Sequence, residues 1–178
     1  MPQKNQTGFT LIELLVVIAI IGILSSIVTT SVNSARAKAK IAKVQMDLLQ
    51  IKSAITMLAN DTDKWPGREA AAGTASPQPV DTVRCTGGGV NEVQNLNDAQ
   101  TGLTVSHASY PGWNGPYMTS VPLDPWGRNY FFDTDYDHAP TGDDILSAAL
   151  GSYGPNGIGN NLYDSDDIII KLATATCP

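Results

Sequence analysis

Between Glu13 and Arg36 the chain carries no charged residue. As a helix, the 22 residues from 14 to 35 rise about 33 Å, enough to cross a hydrocarbon core of about 30 Å. The preceding MPQKNQTG is short and polar. A secretory signal peptide would have a shorter apolar region closed by a small-residue cleavage site, and VNSA at 32–35 matches that pattern only weakly. The segment therefore reads as a membrane span. Within it Gly22 and Ser26 stand four apart, with Ala19 and Ser25 nearby. Small residues at such spacing let helices approach closely in lipid, or are simply tolerated there.

Glu13 is the only charge between Lys4 and Arg36. An ionised side chain inside hydrocarbon costs about 2.5–3.5 kcal/mol on insertion scales. Two readings stand side by side. Glu13 sits at the membrane edge and snorkels to water, or it meets a positive charge supplied by another molecule. No Lys or Arg lies within helical reach inside the span.

Beyond the span the chain continues without Pro to about Asn60. Ile41, Val44, Leu48, Ile51, Ile55 and Leu58 step by three and four, which predicts one apolar stripe on an amphipathic helix over 36–60. Lys43, Gln45, Asp47, Gln50 and Lys52 fall on its remaining surface. Residues 61–84 are rich in Pro, Gly, Ser and Ala without periodicity and predict a loop that runs on through CTGGGVNE. Residues 93–119 carry a weak signal for a short helix. NYFF, ALGSY and the β-branched DIIIKLATAT predict strands. The expected fold class is α+β, a long N-terminal helix packed on a small antiparallel sheet.

Net charge is −6, and it is uneven. Arg and Lys gather over 36–52, whereas Arg128 is the one Lys or Arg between Asp124 and Asp167. So acidic a surface is a poor ligand for phosphate, and direct nucleic-acid contact is not expected. His107 and His138 are the two histidines, and neither joins a nucleophilic triad. No Gly-rich loop leads into a helix with a Lys. No enzyme is expected. Cys85 and Cys177 lack the spacing of zinc ligands. Outside the cytoplasm they could form a disulfide; two unpaired thiols is the other reading.

Asp124-Pro125-Trp126-Gly127 predicts a turn, with Pro presetting φ, Asp bonding locally and Gly permitting positive φ. Asp133, Asp135, Asp137 and Asp144 fall at EF-hand spacing, but His138 stands where that loop requires Gly.

Gly8-Phe9-Thr10-Leu11-Ile12-Glu13, followed by this apolar run, resembles the processing site of type IV pilins and type II secretion pseudopilins. The resemblance implies cleavage after Gly8 by a prepilin peptidase, N-methylation of Phe9, and pairing of that new amine with Glu13 of a neighbouring subunit. It implies a leader at 1–8, a transmembrane and filament-core helix at 9–35, an amphipathic helix at 36–60 and a globular extracytoplasmic domain at 61–178. Many family members carry a Pro where this chain has Thr29 and Thr30.

GPY…DPWG and Ser152-Tyr153-Gly154-Pro155-Asn156-Gly157, with Asp164-Ser165-Asp166-Asp167, resemble the major-pseudopilin branch of that family. By that resemblance Asp166 and Asp167 are calcium ligands, joined by backbone carbonyls of Tyr153 and Ser165. Asn156 stands where the family usually has Asp, and Asp164 offers a substitute carboxylate in a loop a few residues longer. Asn keeps an oxygen but loses a charge, which lowers the expected affinity. A metal-free acidic loop is the other reading.

The function implied is a structural subunit of a pilus-like filament in a type II secretion-like system. A type IV pilus subunit, or a membrane-anchored calcium-binding module that does not polymerise, are the alternatives. Implied partners are further copies in a helical filament, the peptidase and N-methyltransferase, an inner-membrane assembly platform, minor pseudopilins and membrane lipid. The implied location is the cytoplasmic membrane, single-pass, with the filament periplasmic or at the cell surface. One feature opposes that orientation. Arg36, Lys38, Lys40 and Lys43 follow the span whereas Lys4 alone precedes it, so the positive-inside rule taken alone places the C-terminal part in the cytoplasm.

Overall fold

The computed structural model describes residues 8–67, 93–137, 145–158 and 165–176. Cys85, Cys177, His138, Asp144 and Asp164 lie outside them. The elements run α1 (Leu11–Thr62), a single 3-10 turn (Ala99–Thr101), β1 (Phe131–Asp137), β2 (Ile145–Ser152) and β3 (Ile168–Thr176). The chain divides into two compact units, Met1–Lys40 and Ile41–Pro178, and α1 contributes to both.

Helix α1 is unbroken because nothing in it breaks a helix: it lacks Pro, and its one Gly is Gly22. Thr29 Oγ1 donates back to Ser25 O and Thr30 Oγ1 to Ile27 O, at 2.8 and 2.9 Å. These hydroxyls thus need no water inside an apolar stretch. The helix ends at Asp63, whose φ of 55° is left-handed and whose N–H donates to Ala59 O at 2.8 Å. The end falls two residues beyond the Asn60 expected from sequence.

In the second unit the stripe is the spine of the core. Val44, Leu48, Ile51, Ile55 and Leu58 are fully buried, each contributing about 1.5–3 kcal/mol relative to exposure. Ile41 departs from the expectation: it is 38% exposed, and burial begins one turn later at Val44. Asp47 also departs, buried rather than on the outer surface, because Tyr130 and Lys43 both donate to it.

The sheet is an antiparallel meander in the order β1-β2-β3. Alternation along the strands gives it two faces. Phe132, Ala148 and Leu150, with Ile168, Ile170 and Leu172, join the helix stripe. Phe131, Tyr136, Ala149, Tyr153 and Ile169 form a second cluster, with Phe131 stacked 4.5 Å from Tyr153. Coverage of both faces explains why IIIKL is nearly continuous rather than strictly alternating.

Strand β1 starts at Phe131 and runs through DTDYD, later than NYFF suggested. This corrects the EF-hand reading. Asp133 pairs with Ala149 and Asp137 with Leu146 in the ladder, and Asp133 is fully buried. Backbone committed to a ladder cannot wind around an ion.

Residues 93–130 hold no helix beyond the 3-10 turn. Side chains do the work that a ladder would do elsewhere. Asn97 accepts from Val121 N and donates to Val121 O, at 2.7 and 2.8 Å. Trp113 Nε1 donates to Gly102 O at 2.6 Å, and Tyr110 Oη accepts from Gly67 N at 2.7 Å.

Candidate functional site

Two regions carry the candidate residues, one in each unit. In the first, Gly8 precedes α1 with open space, among the described residues, where a Cβ would sit, and Phe9 is 91% exposed. Thr10 caps the helix. Its N–H and Oγ1 both donate to Glu13 Oε2, at 2.8 and 2.7 Å, and Glu13 N donates to Thr10 Oγ1 at 3.3 Å. This reciprocal pair is a capping box. The pattern T-x-x-E was present in the sequence as its signal.

The cap changes what Glu13 needs. In the isolated chain its carboxylate is already met by two neutral donors on its own helix, which lowers the penalty of holding it at the edge of hydrocarbon. Both donors leave room for a cation, since a carboxylate accepts at about four lone-pair positions. From Leu11 to Val28 large apolar side chains stand exposed around the whole circumference. The helix reaches a mean hydropathy of 2.8 in its most apolar 18-residue window. It is long and apolar enough to cross a membrane.

In the second unit, Asp124 organises the DPWGR turn. Buried, its Oδ1 accepts from Trp126 N and Arg128 N at 2.9 and 2.8 Å, and its Oδ2 accepts from Ser152 Oγ at 2.7 Å. Gly127 closes the turn with φ of 85°. The turn reading thus holds, and the Ser152 bond fastens it to the end of β2.

The acidic loop lies alongside. Asn156 N donates to Asp166 Oδ2 at 3.0 Å, and Asn156 Nδ2 donates to Asp166 Oδ1. Asn156 Oδ1 accepts from Ile158 N at 2.6 Å. Tyr153 O accepts from Gly157 N at 3.1 Å, and Tyr136 Oη donates to Asp167 Oδ2 at 2.9 Å. Asn156, Asp166 and Tyr153 therefore lie in one neighbourhood, as their chain spacing suggested. Ser165 is exposed in the turn before β3. Among the described residues no three His, Cys, Asp or Glu side chains gather as a metal-holding group. As arranged, several of these oxygens accept protein N–H and O–H groups. Sequence reading missed Arg128, which enters the loop: its Nη2 donates to Gly154 O, and Nε lies 3.8 Å from Asp124 Oδ2.

The capped, apolar start of α1, with Glu13 in its first turn, lies in a segment that carries the prokaryotic N-terminal methylation motif. The family model for the prokaryotic N-terminal methylation motif matches residues 3–29. The model for type II secretion system protein G matches residues 92–169. A type II secretion system core protein G of Escherichia coli K12 is 30% identical over 164 residues, covering 92% of this chain and 90% of that protein. One from Klebsiella pneumoniae is 29% identical over 171 residues, 93% and 94% of the two chains. The crystal structure of the major pseudopilin from the type 2 secretion system of enterohaemorrhagic Escherichia coli aligns with a TM-score of 0.45 and 19% identity, over 76% of this chain and 86% of that one. This chain belongs to the type II secretion system core protein G family.

Proposed function

We propose that the chain is the major subunit of a secretion pseudopilus, a filament built from many copies of itself. It waits in the cytoplasmic membrane, spanning it through the apolar half of α1. A prepilin peptidase cuts after Gly8 and the amine of Phe9 is methylated. The subunit then passes from lipid into the filament through an inner-membrane assembly platform, with minor pseudopilins as further partners.

One observation carries this reading. The apolar half of α1 is exposed on all sides, while its Glu13 already has donors on its own helix. A fully apolar helix surface needs lipid or other helices around it. Passing from one to the other keeps it covered at each stage. The protein's driving force for association is then close helix packing, aided by small residues such as Gly22 and Ser26. Charge pairing between Glu13 and the Phe9 amine of an adjoining subunit sets register, since an unpaired charge in that setting is costly.

Intact mass measurement of the protein taken from membranes of peptidase-bearing cells tests the processing. Loss of residues 1–8 with one added methyl group is expected. An intact Met1 terminus would instead make the chain a plain membrane anchor. The head is placed outside the cytoplasm, against the Lys and Arg that follow the span. Protease added to spheroplasts should digest the head, and protection of the head would reverse the orientation.

A further inference from the structure

We infer that the loop 153–157, which family resemblance would give to calcium, is closed instead by the guanidinium of Arg128. The inference concerns this loop alone and stands apart from filament formation.

Four observations converge. Arg128 Nη2 donates to the Gly154 carbonyl. Its Nη1 lies where a Cβ on Gly157 would sit, so a side chain there would have to displace the guanidinium. Arg128 N is tied to Asp124 Oδ1 at 2.8 Å, and Arg128 Cζ stands 5.8 Å from the Trp126 ring centroid. The turn therefore sets where the Arg128 side chain starts, and its guanidinium reaches the loop from there. A planar guanidinium presents several donors in a rigid fork and keeps its charge at any working pH.

The loop is shaped to receive it. Gly154 and Gly157 both take positive φ, 59° and 69°. Gly154 also lies against the Asp166 backbone carbonyl, leaving no space for a Cβ. These conformations bring the Gly154 carbonyl to Arg128 and the Asn156 amide to Asp166.

The orientation of Asn156 bears directly on the ion. Its Oδ1 accepts from Ile158 N, so its Nδ2 faces the Asp166 carboxylate. Two oxygens converging on an ion would require the reverse. Calcium takes six to eight oxygens at about 2.3–2.6 Å. Here the Tyr153 carbonyl, Asn156 Oδ1, both Asp166 oxygens and Asp167 Oδ2 accept protein hydrogens. An entering ion would have to break these bonds and sit beside a fixed positive charge. Asn in place of the family's Asp and Arg128 at the loop act together: one removes a negative charge, the other supplies a positive one.

The test uses the full processed chain in detergent, melted with calcium chloride and with EGTA, followed by tryptophan fluorescence. A site held well above its Kd raises Tm by several degrees. Equal melting curves are expected, as is no saturable heat on calcium titration. Arg128→Met should lower Tm in both conditions, and Arg128→Lys by less, since it keeps the charge but not the fork. A wild-type Tm that drops in EGTA, or an Arg128→Met protein that melts like wild type, would overturn the inference. Should Arg128→Met fail to fold, the wild-type comparison decides alone.

Discussion

The Tyr130 hydroxyl donates to Asp47 Oδ2 at 2.7 Å, joining the second half of α1 to the residue just before β1. Lys43 Nζ reaches the same oxygen at 2.6 Å, one turn up the helix. A buried acceptor shared by a phenol and an ammonium is a fixed point between helix and sheet. Asp47→Ala leaves the Tyr130 hydroxyl buried without its acceptor and should cost about 1–3 kcal/mol, whereas Tyr130→Phe should cost about 1 kcal/mol. Denaturant unfolding of both variants, and of the pair together, checks this. The double variant should fall short of the sum, as residues in contact do.

Alkaline pH should loosen the head. Burial raises the pKa of Tyr130, helped by its bond to Asp47, and burial likewise raises that of Tyr110. The fold keeps these phenolic protons at pH values where the unfolded chain releases them. Stability is therefore full below about pH 10 and falls as pH rises beyond it, by up to about 1.4 kcal/mol per pH unit for each tyrosine. Denaturant midpoints measured from pH 8 to pH 11 should show that decline, and Tyr130→Phe should make it shallower.

Gly154→Ala should be strongly destabilising. Its φ of 59° disfavours any L side chain, and a Cβ would run into the Asp166 carbonyl. A loss of about 1–3 kcal/mol is expected from the backbone alone. Thermal melting of the variant checks it, and added calcium should not restore the lost stability.

Thr10→Ala separates the cap from the charge. The backbone N–H at position 10 still donates to Glu13, but the hydroxyl that binds both Glu13 N and its carboxylate is gone. The first turn of α1 should weaken by about 1 kcal/mol. Faster amide exchange at residues 11–14 is the readout, with membrane insertion unchanged.

The helix and its buried stripe were legible because periodicity is a local signal that the core obeys. Val44, Leu48, Ile51, Ile55 and Leu58 are buried in the order their spacing gives. Asp47 was misread for the opposite reason: its partner Tyr130 lies 83 residues away, and no local pattern announces such a bond. Residues 93–130 defied reading because their order comes from side chains such as Asn97 and Trp113 meeting distant backbone, not from a repeating ladder. At the candidate sites, the Thr10 cap could have been found from its spacing to Glu13. Arg128 stood out in the sequence as a lone cation among aspartates, but its entry into the loop depended on folding.

Glu13→Gln gives the most direct measurement of assembly through the N-terminal helix. Glutamine keeps the acceptor that Thr10 needs and removes the charge that the Phe9 amine of a neighbour would meet. Filaments sheared from cells and quantified against membrane-held subunit should fall sharply, with the subunit still processed at Gly8. Wild-type filament yield and register from Glu13→Gln would contradict a charge pair at the centre of assembly.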